Sequence, residues 1–149
     1  MANVLVTGVT GQDGGYLAER LVSEGHAVHG LVHASDGAGA DEFRARVPAV
    51  TLHRGDLTDE AGLRSLIAEV RPDEVYNLAA ISSVALSWEK PVLTADATGL
   101  GAVRLFQAAQ DWATVAGTSP RVLQASSAEI FGEPTQEPQT EDTPLRPVS

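Results

Sequence analysis

Two stretches of this chain bring together residue types that could do chemistry. The first is Thr7-Gly8-Val9-Thr10-Gly11-Gln12-Asp13-Gly14, with its glycines in a G-x-x-G-x-x-G pattern. It lies between a short apolar run and a helical one. Gly8 permits a tight turn, Gly11 lets a pyrophosphate approach the backbone, and Gly14 lets the helix pack closely on the strand. The phosphates then sit on the free N–H groups at the helix start. In this context the expected role is dinucleotide binding rather than a plain turn. The second stretch is Gln124-Ala125-Ser126-Ser127-Ala128-Glu129. A hydroxyl there can hydrogen-bond an alcohol undergoing oxidation, and a carboxylate two positions on can take a proton from carbon beside a new ketone. The residues alone leave a second reading open, with Ser127 a helix cap and Glu129 a first-turn acid.

The type of dinucleotide turns on the end of the second strand, where an acid holds a ribose diol and an arginine favours a 2′-phosphate. The chain offers His33 there and Asp36 three residues later. A cationic His33 would suit NADP and Asp36 would suit NAD, so both stay open. Asp56 can accept from an adenine amino group, or simply begin the turn into the next helix. Ala79 and Ala80 are small enough for close approach of a nicotinamide ribose, or for packing alone.

These residues need a frame. Asn3–Thr7, Ala27–Val32, Val50–Leu52, Glu74–Leu78 and Arg121–Leu123 read as strands. Between them, Tyr16, Leu17, Leu21 and Val22 mark one helix, with Gly25 its stop. Leu63, Leu66, Ile67 and Val70 mark another, capped by Thr58 and stopped by Pro72. A third runs from about Pro91 to Ala113 and carries Leu100, Val103, Leu105 and Phe106. Ala34–Ala40 reads as a loop. Strand and helix alternate five times, which predicts an α/β fold: a doubly wound, Rossmann-type parallel sheet of at least five strands with flanking helices. The expected division is a dinucleotide-binding domain over 1–132, followed by an extended proline-rich segment over 133–149.

Composition narrows the partners. The chain has 149 residues, a formal net charge of −10 and no cysteine. The negative charge argues against nucleic acid or an anionic membrane as main partner. Without cysteine there is no disulfide or thiolate metal site, and no metal is expected. No apolar run approaches the roughly 18 residues of a membrane span, and the N-terminus lacks the pattern of a signal peptide. The expected location is the cytoplasm.

Six segments, in order, resemble the GDP-mannose 4,6-dehydratases of the extended short-chain dehydrogenase/reductase class. They are VTGVTGQDGGYLAERL (6–21), HGLV (29–32), GDLTD (55–59), EVYNLAA (74–80), TADATGLGAVRL (94–105) and QASSAEIFG (124–132). The resemblance implies a nucleotide-sugar lyase. Hydride leaves C4 of GDP-mannose, water is lost across C5–C6, and hydride returns to C6 to give GDP-4-keto-6-deoxymannose. NADP is the implied cofactor, with NAD possible. Ser127 matches the residue that binds the C4 hydroxyl, and Glu129 matches the acid/base acting at C5 and C6. Gly8, Thr10, Gly11, Gln12, Asp13, Gly14, His33, Asp56, Leu57, Leu78, Ala79, Ala80 and Ser82 match cofactor positions.

The chain departs from the family's pattern in places. His33 and Ala34 stand where the family has an arginine pair, Leu93 where it has a tyrosine, and Ile81-Ser82-Ser83-Val84-Ala85 where it has Gln, Ser, His, Val, Lys. Its Tyr-x-x-x-Lys pair is expected just beyond Ser149. Tyr16 and Tyr76 are each followed four residues on by something other than lysine. The expectation is therefore the front part of a longer, homo-oligomeric enzyme, inactive by itself. Another sugar-nucleotide epimerase, decarboxylase or reductase, or a non-catalytic dinucleotide-binding fragment, are the alternatives.

Overall fold

The computed structural model describes residues 1–148. Five parallel strands form one sheet: β1 (Asn3–Thr7), β2 (Ala27–His33), β3 (Thr51–Gly55), β4 (Glu74–Asn77) and β5 (Arg121–Gln124), in the spatial order β3-β2-β1-β4-β5. The chain winds outward from β1 in one direction and then crosses over to β4. Both pairings of β1 end at Thr7, opposite Leu31 on one side and Asn77 on the other. In an open sheet of this kind the ligand crevice opens beyond the strand ends at that switch.

Side-chain alternation along β1 divides the core. Val4 and Val6 pack with Val9, Ala18, Leu21 and Phe43 under α1 (Gln12–Ser23) and α2 (Gly37–Arg46). Leu5 packs on the opposite face with Leu63, Ile67, Val75 and Leu105, under α3 (Glu60–Val70) and α6 (Gly101–Ala116). All four apolar residues expected to mark the inner face of α3 are buried. Gly25, with φ +83°, follows the end of α1 as expected.

Several local expectations are corrected. The loop reading of Ala34–Ala40 holds only up to Asp36. From Gly37 the chain is helical, because the Asp36 carboxylate caps the Gly39 N–H and Ala40 and Phe43 enter the core. Gly37 and Gly39 have poor helix propensity and hide this element from a sequence reading. The cap of α3 is Asp59, which accepts from the Gly62 N–H at 2.9 Å; the Thr58 N–H is instead taken by Asp56. In α1 the inward face is Gly14, Gly15, Ala18 and Leu21, while Tyr16 points to solvent. At Gly14 the start of the helix is pressed against the turn that follows β1, which leaves no room for a Cβ.

The helical stretch expected from about Pro91 is continuous but not uniform. It comprises α5 (Pro91–Thr94), a π-helical stretch (Ala95–Leu100) and α6, and it follows α4 (Val84–Glu89), which the sequence reading did not anticipate. A π-turn inserts an extra residue and re-phases the helix. Leu105, Ala108 and Ala109 face the sheet, while Leu100, Val103 and Phe106 remain exposed. Gly101 lies against Leu57, whose Cβ is 2.8 Å from where a Cβ at Gly101 would stand. The segment 133–148 has no regular secondary structure; it returns to the turn that follows β5, where the Arg146 N–H donates to the Ile130 carbonyl.

His29 on β2 and His53 on β3 stack with ring centroids 5.2 Å apart, and His29 Nδ1 lies 3.0 Å from His53 Nε2. Burial and then the neighbouring His53 hold the His29 imidazole below its ordinary value. The folded state thus resists a protonation of His29 that the unfolded chain accepts, so the contribution of His29 is complete above pH about 6.5 and is lost as pH falls below it. The urea midpoint is expected to be lower at pH 5 than at pH 7, with a smaller difference in His29→Gln. An equal difference in both proteins would refute the assignment.

Candidate functional site

A cleft of about 410 Å³ opens at the carboxyl ends of β1, β2 and β4. Its floor begins with the turn from β1 to α1. Gly8 has φ +67°, and a Cβ there would stand 2.9 Å from the Ala79 N. A Cβ on Gly14 would stand 2.8 Å from the Val9 Cα. The turn is therefore closed by backbone on both sides, and α1 starts directly against it. No side chain caps the start of α1 at Gly11, which leaves the first-turn N–H groups without a side-chain acceptor. Such an N-terminus accepts an anion. These features fit a ligand whose pyrophosphate lies over the turn.

A buried polar ladder fixes the strand ends beneath. Thr7 Oγ1 donates to Asn77 Oδ1 at 2.5 Å and accepts from the Ala79 N–H at 3.1 Å. Asn77 Nδ2 donates to Gln124 Oε1 at 2.6 Å, and the Ala125 N–H donates to the Asn77 carbonyl. Thr7 and Asn77 have no exposed surface, so each depends on the other for hydrogen bonding. Thr7→Val keeps the shape but removes both bonds. It is expected to cost about 1–3 kcal/mol in urea unfolding. A change under about 0.5 kcal/mol would show that the ladder is not needed for stability.

At the far end of the cleft, Asp56 accepts from the Thr58 N–H at 2.9 Å, and its other oxygen lies 3.0 Å from His33 Nε2. The Thr58 N–H, and beyond it His33, hold the Asp56 carboxyl below the usual carboxylate range. His33 Nδ1 is 2.7 Å from Ser35 Oγ. Between this end and the glycine turn, Thr10 Oγ1 donates to Asp36 Oδ2 at 2.9 Å.

The cleft brings together Gly8, Thr10, Gly11, His33, Asp56, Leu57, Leu78, Ala79, Ala80 and Ser82 of the sequence-predicted residues. Gln12 and Asp13 stand exposed on the first turn of α1, and Gly14 lies behind the turn; none of the three lines the cleft. Asp36, weighed in the sequence but not placed among the site residues, does line it. So does Ala97, from the π-helical stretch, while neighbouring Thr98 Oγ1 accepts from the Ile81 N–H at 3.0 Å. No sequence period announces a π-turn, so Ala97 carried no signal.

Ser127 and Glu129 lie apart from this lining, exposed on the turn after β5. Ser127 Oγ accepts from the Glu129 N–H at 3.2 Å and caps a short 3₁₀ turn, Ala128–Phe131. The capping part of the structural reading is thus present, and it leaves the Glu129 carboxylate facing solvent. The Ala125–Asn77 bond sets this segment beside the one leading to Ala79 and Ala80.

Known proteins resemble this chain in fold and in sequence. The structure of UDP-glucose 4-epimerase from Thermus thermophilus in complex with NAD superposes with a TM-score of 0.82 at 35% identity, over 98% of this chain and 45% of that one. GDP-mannose 4,6 dehydratase 2 of Arabidopsis thaliana is 43% identical over 97% of this chain and 41% of its own length. The human GDP-mannose 4,6 dehydratase is 41% identical over the same shares. The chain spans about two fifths of the length of the curated relatives it matches. The family model described as GDP-mannose 4,6 dehydratase matches residues 5–149, which takes in the glycine turn, the cleft and the serine-glutamate turn alike. The chain belongs to the GDP-mannose 4,6-dehydratase family.

Proposed function

We propose that this chain is the dinucleotide-binding part of a GDP-mannose 4,6-dehydratase. The observation that carries the reading is the cleft itself: a glycine turn sealed against Ala79 and an uncapped helix start, with the serine-glutamate turn on the adjoining strand end. NADP is the cofactor that the family resemblance implies, and NAD is the molecule in the Thermus epimerase structure. When bound, the dinucleotide supplies the hydride acceptor and donor. Gly8, Gly11 and the first turn of α1 would hold its pyrophosphate, and Asp56 would face the adenine amino group.

Ser127 would hydrogen-bond the C4 hydroxyl of the mannose and orient it for oxidation. Glu129 would then take the proton from C5, made acidic by the neighbouring ketone, and return it to the departing C6 hydroxyl as water. The sum is oxidation at C4, loss of water across C5–C6 and reduction at C6, with no net change in the cofactor. Residues 1–149 hold no Tyr-x-x-x-Lys pair. On this reading they bind the dinucleotide but need more chain for turnover.

The test is incubation of the full enzyme with GDP-mannose and product analysis. A GDP-4-keto-6-deoxy sugar is expected. Intact GDP-mannose, with epimerisation of a UDP-sugar in its place, would overturn the proposal in favour of an epimerase.

A further inference from the structure

The corner of the cleft between the glycine turn and Asp56 is where the adenine ribose must lie if the pyrophosphate rests on the turn. The groups that surround this corner come from three elements. Asp36 arrives from the start of α2, and its carboxylate is held in place twice, by the Thr10 hydroxyl at 2.9 Å and the Gly39 N–H at 3.1 Å. Each bond uses a different oxygen, and every carboxylate oxygen keeps a further lone pair. Asp56, at the end of β3, adds a second carboxylate to the lining.

Two basic side chains are near, and each already has a hydrogen-bonding partner. His33 is bracketed by Asp56 and Ser35, at 3.0 and 2.7 Å. Arg54 donates from Nη1 to the Ala34 carbonyl at 3.1 Å, and it does not line the cleft. A ribose 2′-hydroxyl would find a fixed acceptor at this corner. A 2′-phosphate would bring a double negative charge to a lining that already holds two carboxylates and no arginine.

We infer that Asp36 sets the cofactor choice, and that this cleft takes NAD in preference to NADP. The inference rests on the dinucleotide reading of the cleft and narrows it. Asp36 acts as a specificity residue by accepting the 2′-hydroxyl, and Thr10 holds the carboxylate at the edge of the pyrophosphate cradle. This preference differs from the NADP that the family resemblance implies. Its physical reason is an acid fixed beside the glycine turn, in a cleft lining that holds no arginine.

The experiment is calorimetric titration of the purified protein with NAD⁺ and with NADP⁺, followed by the same pair on Asp36→Asn. Asparagine retains the helix cap, so the variant tests charge rather than folding. NAD⁺ is expected to bind at least about tenfold tighter, the scale of one charge-assisted hydrogen bond. The variant is expected to lose most of that ratio. Tighter binding of NADP⁺ would overturn the inference, and its loss on Arg54→Ala would move the 2′-phosphate to Arg54. An unchanged ratio in Asp36→Asn would overturn the role of Asp36. Binding of neither dinucleotide would overturn the reading of the cleft itself, a result distinct from a reversed preference.

Discussion

Gly14→Ala is expected to weaken dinucleotide binding about tenfold to a hundredfold and to lower stability by about 1–3 kcal/mol. The cause is steric. The added methyl carbon would stand 2.8 Å from the Val9 Cα and closer still to the Gly8 carbonyl oxygen, both backbone atoms that cannot rotate away. The start of α1 must then lift from the turn, carrying with it the N–H groups that would hold the pyrophosphate. Loss of affinity and loss of stability therefore arise from one displacement. Titration with the dinucleotide and thermal unfolding of the same sample measure both. Unchanged affinity would show that the pyrophosphate does not rest on this turn. By contrast, Gly37→Ala adds a methyl to open space and is expected to leave binding intact.

Glu129→Gln carries the second large effect. If Glu129 moves the C5 proton, its replacement by an isosteric amide removes that proton acceptor and should lower turnover of GDP-mannose by the enzyme about 10²- to 10⁴-fold. KM should change little, because the loss falls on a step after binding. Dinucleotide affinity should also hold, since Glu129 is exposed and lies outside the cleft lining. Steady-state kinetics beside a binding titration separates these quantities. Intact turnover would remove Glu129 from the chemistry and leave it as a first-turn acid beside the Ser127 cap. A parallel fall in dinucleotide affinity would instead mean that the turn after β5 shapes the cleft.

Much of the frame was legible in the sequence because it depends on local pattern. The apolar run Asn3–Thr7, the glycines that follow and the helical spacing of Leu63, Leu66, Ile67 and Val70 each act over a few residues. Alternation of such segments with short connections leaves little choice but a parallel sheet. Where local signals were ambiguous, the reading failed. The glycines of α2 concealed a helix that Asp36 and Phe43 stabilise. A single helix was expected from about Pro91, and the π-helical stretch before α6 interrupts it without any local signal.

By itself, then, the amino-acid sequence determined the order of elements, the turn that can cradle a pyrophosphate and the identity of the groups able to do acid-base work. Tertiary structure alone decided which of them share a site. Thr10 meets Asp36 across 26 residues, and Thr7 meets Asn77 across 70. These contacts depend on the order in which strands pair, and no periodicity along the chain encodes a partner on another strand. For the same reason Ala97 reaches the cleft, while Gln12 and Asp13, inside the motif, stand outside its lining.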